Sequence, residues 1–149
     1  MADHRAEQIL QAVVANVTGL ATTGNHVTRA RATPQATGAL PALAVYQGPD
    51  VPLDADLQSM QYLDVELTVY IDILVATEAQ QVDSLLNQIR VEIARALWAD
   101  YQQGLSFVIE MREGSADEPM LVGEGERPAA SMRTAWIFKY RRSRTDPSA

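Results

Sequence analysis

Cysteine is absent from the 149 residues, which excludes disulfides, a thiolate nucleophile and any Cys-ligated zinc site. Histidine occurs only at positions 4 and 26, and neither His4 nor His26 has neighbouring donors at metal spacing, so both read as surface residues. No apolar run is long enough to cross a bilayer, and the stretch Met1 to Glu7 lacks the apolar core of a signal peptide. These absences point to synthesis in a reducing cytoplasm, with no membrane partner. Basic charge is also short, with 12 Lys and Arg against 19 Asp and Glu. The resulting net charge of −7 repels nucleic acid and anionic lipid and argues against a dedicated DNA reader.

What is present fits an ordinary folded chain. Hydrophobic residues make up 47% and charged residues 21%. The length suits one domain over 1–149, able to bury about 70% of the surface its unfolded chain exposes, with a frayed tail from about Arg144.

Two alternating patterns dominate. From Tyr62 to Val75, the residues Leu63, Val65, Leu67, Val69, Ile71, Ile73 and Val75 share one side of a pleat, while Asp64, Glu66 and Asp72 point the other way. From Ser131 to Tyr140, Met132, Trp136, Phe138 and Tyr140 share a side and leave Arg133, Lys139 and Arg141 opposite. The two read as sheet partners with one buried face and complementary charges on the other. Ala42 to Tyr46, bounded by Pro41 and by Gly48-Pro49, reads as a central strand, Val27 to Arg31 as a short one, and Leu105 to Met111 as a further one with Leu105, Phe107, Ile109 and Met111 on one face.

Two helices complete the pattern. Asp3 is placed to cap a first helix with the stripe Ile9, Leu10, Val13, Val14 and Val17, stopped near Thr18 by Gly19. Thr77 and Gln80 have capping-box spacing before a second helix, whose face is Val82, Leu85, Leu86, Ile89, Ile93, Ala96 and Leu97 and whose solvated side includes Arg90, Glu92 and Arg95. Trp98 should pack at the sheet border. The order predicts an α+β fold, a mixed and largely antiparallel sheet with two helices on one face.

A search for chemistry finds no anchor for an enzyme. Asp50, Asp54 and Asp56 lack the glycine and terminal glutamate of an EF-hand loop. Gly123-Glu124-Gly125-Glu126 places acids where phosphate would sit, and no G-x-S-x-G elbow occurs. Asp64 and Glu66 are spaced for cross-strand ion pairs rather than for acid–base work. Trp136 and Phe138 share a strand face with Met132, which favours core packing over base stacking. No catalytic residue, cofactor or metal is expected.

The remaining features concern contact. Val51, Leu53 and Leu57 lie in a polar connection from Asp50 to Met60, where they either meet a partner or tuck onto their own domain. A second connection, Glu113 to Ala130, is acidic and carries the apolar triplet Met120, Leu121 and Val122. The basic end with Lys139, Arg141 and Arg142 is either a solvated patch or the complement of an acidic neighbour in a head-to-tail contact.

The ordered set His4-Arg5, Thr18-Gly19-Leu20, Thr22-Thr23-Gly24, Leu40 through Gly48, the long strand, the amphipathic helix, and Gly123-Glu124-Gly125 leading to Trp136 and Tyr140 resembles the tail terminators of long-tailed bacteriophages and prophages, the lambda-type minor tail protein U family. The resemblance spans nearly the whole chain. It implies a small structural subunit, soluble alone, that forms a hexameric ring on the last ring of the tail tube, stops tube polymerisation and presents a surface to head-completion or neck proteins. It implies a place at the head-proximal end of the virion tail, with host cytoplasm as the site of assembly. On this reading Val51, Leu53, Leu57, Met120, Leu121, Val122, Lys139, Arg141 and Arg142 make subunit or tube contacts. Asp54, Asp56, Glu124 and Glu126 would line a lumen through which DNA slides without specific binding. The alternative is a neck or head–tail connector protein of a phage or phage-like particle.

Overall fold

Alternating β-branched and apolar residues put the two longest strands in the middle of the sheet. The computed structural model describes residues 2–29, 40–53, 61–122 and 129–149. Its elements are α1 (Arg5–Val17), β1 (Val27–Thr28), β2 (Ala42–Pro52), β3 (Tyr62–Ala76), a 3-10 turn (Ala79–Gln81), α2 (Val82–Trp98), β4 (Val108–Ala116), β5 (Met120–Val122) and β6 (Ala129–Ser143). The strand order is β1-β2-β3-β6-β4, and β5 also pairs with β6. β3 and β6 pair antiparallel over 15 residues each, from Tyr62 opposite Ser143 to Ala76 opposite Ala129. Only β1 and β2 run parallel, so the fold is the expected α+β arrangement with a mixed, mostly antiparallel sheet.

The core lies between one sheet face and the two helices. Val65, Leu67, Val69, Ile71, Ile73 and Val75 of β3, Met132, Trp136, Phe138 and Tyr140 of β6, and Leu43 and Val45 of β2 are buried in one cluster with Ile9, Leu10, Val13 and Val17 of α1. α2 adds Val82, Leu86, Ile89, Ile93 and Leu97, five buried side chains each worth about 1.5–3 kcal/mol. Both helices carry their apolar residues on the face that periodicity assigned.

Local starts and stops depart from expectation. Asp3 does not cap α1: His4 is the N-cap and its Nδ1 accepts from the Ala6 amide at 3.0 Å, while the Asp3 carboxylate accepts from Gln11. The Thr77–Gln80 capping box does not form either. The chain enters α2 through the 3-10 turn after Glu78, with no side-chain cap bond. Gly19 does stop α1, at φ +89°. The turn after α2 is held by a residue that no periodicity flags: Gln103, buried and at φ 52°, donates from Nε2 to the carbonyls of Leu97 and Asp100 at 2.9 and 2.7 Å. Those bonds satisfy the end carbonyls and offset the left-handed backbone.

The strand ends also differ. β2 is not halted by Gly48-Pro49; it bulges between Gln47 and Asp50 and continues to Pro52, while Ala42 to Tyr46 lie buried in an interior strand between β1 and β3. Gly48 is required there, since a Cβ would sit 2.6 Å from Cε2 of Tyr70 and 3.0 Å from the Thr68 carbonyl. β4 departs from the expected face at Ile109, while Met111 keeps its inward place and Leu105 and Phe107 pack against the core. A bulge between Val108 and Glu110 adds a residue opposite Lys139 and Tyr140, so Val108 and Met111 turn inward and Ile109 is left 39% exposed. Leu105 and Phe107 precede the strand as half-buried loop residues. The expected connection from Glu113 instead holds the end of β4 and all of β5.

The last residues are tied down, not frayed. Arg144 N–H donates to the Gln61 carbonyl and Arg5 N–H to the Pro147 carbonyl, each at 2.9 Å, and Ser143 N–H donates to the Ala149 carbonyl.

Candidate assembly surfaces

The helix-free face of the sheet is polar and internally paired. Arg141 Nε meets Asp64 at 2.8 Å, its direct partner across β6 and β3. Arg112 of β4 reaches over β6 to Glu66 at 2.8 Å. These bonds hold both carboxyls below the ordinary carboxylate range, the Arg141 and Arg112 hydrogen bonds being the largest causes. Lys139 lies in register between Glu66 and Glu110. Farther along, Asp72 is buried although it belongs to this face. Tyr46 donates its hydroxyl to Asp72 at 3.0 Å and Arg133 donates from Nε at 3.2 Å, with the guanidinium 5.4 and 5.2 Å from the ring centres of Tyr46 and Tyr70. The Asp72 bond raises the Arg133 pKa further above its ordinary value.

Several exposed apolar residues lie toward the two lateral sides of the sheet, although Tyr62, 50% exposed, begins the central strand β3 and Tyr101 follows α2. On the β2 side, Val51 is 51% and Leu53 44% exposed. On the other side, β4, β5 and α2 carry Ile109, Met120, Leu121, Val91 and Trp98, the last two seven residues apart on one helix face. Trp98 is 48% exposed and meets Trp136 edge-on at 6.5 Å. Arg90, Ile93, Glu113, Thr134 and Trp136 line a shallow depression beside it. The Trp136 indole nitrogen is buried without a hydrogen-bond partner among the described residues.

Among the described residues, no group of three or more His, Asp or Glu is placed to hold a metal ion. No helix among them is long and apolar enough to cross a membrane. The buried Tyr140 hydroxyl donates to Asp50 at 3.0 Å, and its pKa is pushed above the ordinary phenol value by burial first and by the Asp50 charge second. That is a locked structural contact rather than a poised acid.

Chains of solved structures resemble this one. One of them belongs to the virion of a native gene transfer agent particle, with 15% identity, 95% of this chain and 96% of that chain covered, and a TM-score of 0.43. A likeness this distant decides nothing about function. Neither a protein-family model nor a curated protein matches the chain.

The residues singled out from sequence are therefore distributed as follows. Val51 is on β2 and Leu53 directly after it, both exposed, and Met120 and Leu121 are exposed on β5 at 66% and 63%. Val122 is the last residue of β5. Arg141 serves an intrachain pair, so its complement is Asp64 of its own chain. Arg142 does not belong with Lys139 and Arg141: strand parity puts it on the helix side with Tyr140, where it donates to the Ser143 carbonyl at 3.3 Å. Glu92 is half-buried and engaged, accepting from the Thr22 amide at 2.8 Å and from its hydroxyl. Leu57, Asp54, Asp56, Glu124 and Glu126 lie outside the described residues. Sequence reading missed that Trp98 and Val91 are exposed together on one side of α2. Their spacing of seven on an otherwise polar helix side was the available signal.

Proposed function

We propose that this chain is a structural subunit of a phage or phage-like particle that closes into a ring on the end of a tail tube, ends tube growth and presents a surface for joining the head. One observation carries the ring: exposed apolar side chains lie toward opposite lateral sides of the sheet, Val51 and Leu53 on one and Trp98, Ile109, Met120 and Leu121 on the other. A self-complementary dimer needs one patch; a head-to-tail ring needs two different ones. The tail-tube role rests on the ordered residues shared with tail terminators. On this reading six copies assemble, Met120, Leu121, Val122 and Leu57 contribute contacts to the tube or to a neighbour, and the acids at 54, 56, 124 and 126 face passing DNA.

Electron microscopy of the purified protein with and without tail tubes tests the reading. Closed rings seated on tube ends are expected. Binding to a head-completion protein with no affinity for tubes would reassign the chain to the neck, and binding to neither would remove the assembly role.

A further inference from the structure

We infer that the start of α1 is an acid-sensitive latch: a proton on His4 opens the first helical turn, and with it the contacts that fasten the C-terminal residues. The inference is independent of the ring reading.

The latch is built on one bond that only a neutral imidazole can make. The Ala6 amide can only donate, so Nδ1 of His4, 3.0 Å away, presents its lone pair. A proton on Nδ1 removes that acceptor and sets a positive charge beside Arg5, at the positive end of the helix. Ala6 is buried, so the turn must open before water takes the imidazole's place. His4 itself is exposed, and histidine is the side chain that ordinarily changes charge between about pH 5 and 8. The common oxygen-bearing caps keep their acceptor over that range.

The same turn holds the far end of the chain. Arg5 donates its amide to the Pro147 carbonyl at 2.9 Å and Nη1 to the Arg141 carbonyl at 2.6 Å, and its guanidinium lies 4.5 Å from the centre of the Phe107 ring. The Ser143 amide donates to the Ala149 carbonyl, which closes the last residues back on the end of β6. No residue after Ser143 belongs to the buried core, so hydrogen bonds are what fasten this segment. Opening the α1 turn removes the one at Pro147.

Neighbouring acids do not imitate the effect. Glu7 is held below the ordinary carboxylate range by its hydrogen bond from Arg29, and Asp146 by those from Ser148, so both keep their charge throughout that window. Asp3, which accepts from Gln11, is the remaining carboxylate of this turn and is tested directly.

Amide hydrogen exchange of the full-length protein at about pH 7.5 and about pH 5.5, corrected for the chemical exchange rate, tests the latch. Protection of the Arg5, Ala6 and Ser143 amides should fall about tenfold at the lower pH while the buried Val69 holds. His4→Asn, which caps through an oxygen that does not titrate, should remove the fall, and Asp3→Asn should keep it. Level protection in the parent, or a fall that persists in His4→Asn, would overturn the latch. A fall abolished by Asp3→Asn would give the effect to that carboxylate and overturn it too. Loss at Ala6 with Arg5 and Ser143 unchanged would overturn its reach to the C-terminal residues.

Discussion

Asp72 and Arg133 are direct cross-strand partners on the solvent side of the sheet, yet the Asp72 side chain is only 9% exposed while the Arg133 side chain is 46% exposed. The asymmetry arises because Tyr46 and Tyr70 flank the acid and the arginine lies against both rings. Removing the two partners should therefore have unequal effects. Arg133→Ala leaves a buried charge with one hydroxyl donor and is expected to cost about 1–3 kcal/mol. Asp72→Asn leaves an arginine that water can reach and should cost less. Urea denaturation of both variants measures the difference, and equal losses would contradict the account.

Acid should weaken the sheet through Asp64 and Glu66. Both carboxyls are depressed in the folded state by hydrogen bonds from Arg141 and Arg112. A depressed carboxyl stabilises above its unfolded pKa, ordinarily 3.8 for Asp and 4.5 for Glu, and that stability is lost as pH falls through the lower folded value. The melting temperature should fall from about pH 5 downward. Asp64→Asn/Glu66→Gln should show a shallower fall over the same window. Because the pairs are partly solvated, the effect is modest.

Gly48→Ala tests the bulge in β2. The added Cβ would meet the Tyr70 ring at 2.6 Å and the Thr68 backbone at 3.0 Å. The ring can turn but the backbone cannot, and the Tyr46–Tyr70 contact at 5.4 Å would be disturbed. A loss of about 1–3 kcal/mol is expected by chemical denaturation. A neutral result would mean that β2 adjusts its bulge freely.

Surface and core substitutions should separate cleanly. Leu53→Asp and Leu121→Asp alter exposed side chains and should leave unfolding free energy within about 0.5 kcal/mol while abolishing tube capping. Phe138→Ala empties a fully buried site and should cost about 3–5 kcal/mol. Calorimetry alongside electron microscopy of tubes distinguishes the two. Capping that survives both aspartates would count against those positions as contacts.

Much of the fold was legible because its rules are local. The alternation from Tyr62 to Val75 and from Ser131 to Tyr140 fixed two strands and their buried faces, and the stripe from Val82 to Leu97 fixed the long helix. The misses share one cause. The bulge in β4 interrupts a period-2 pattern, the bulge in β2 carries a strand past glycine and proline, and the C-terminal residues donate to the Gln61 carbonyl and accept from the Arg5 amide; none of these leaves a periodic trace.

Composition and periodicity, which depend only on neighbours along the chain, determined the absence of thiol chemistry, the acidic charge, the element types and most of the core. The register of β3 against β6 was decided by tertiary structure alone: it turned Arg141 and Arg133 into partners of Asp64 and Asp72, each more than 60 positions away, while packing of α2 left Trp98 half exposed against Trp136. A sequence pattern says which face a side chain takes, but its partner is set by how distant strands align.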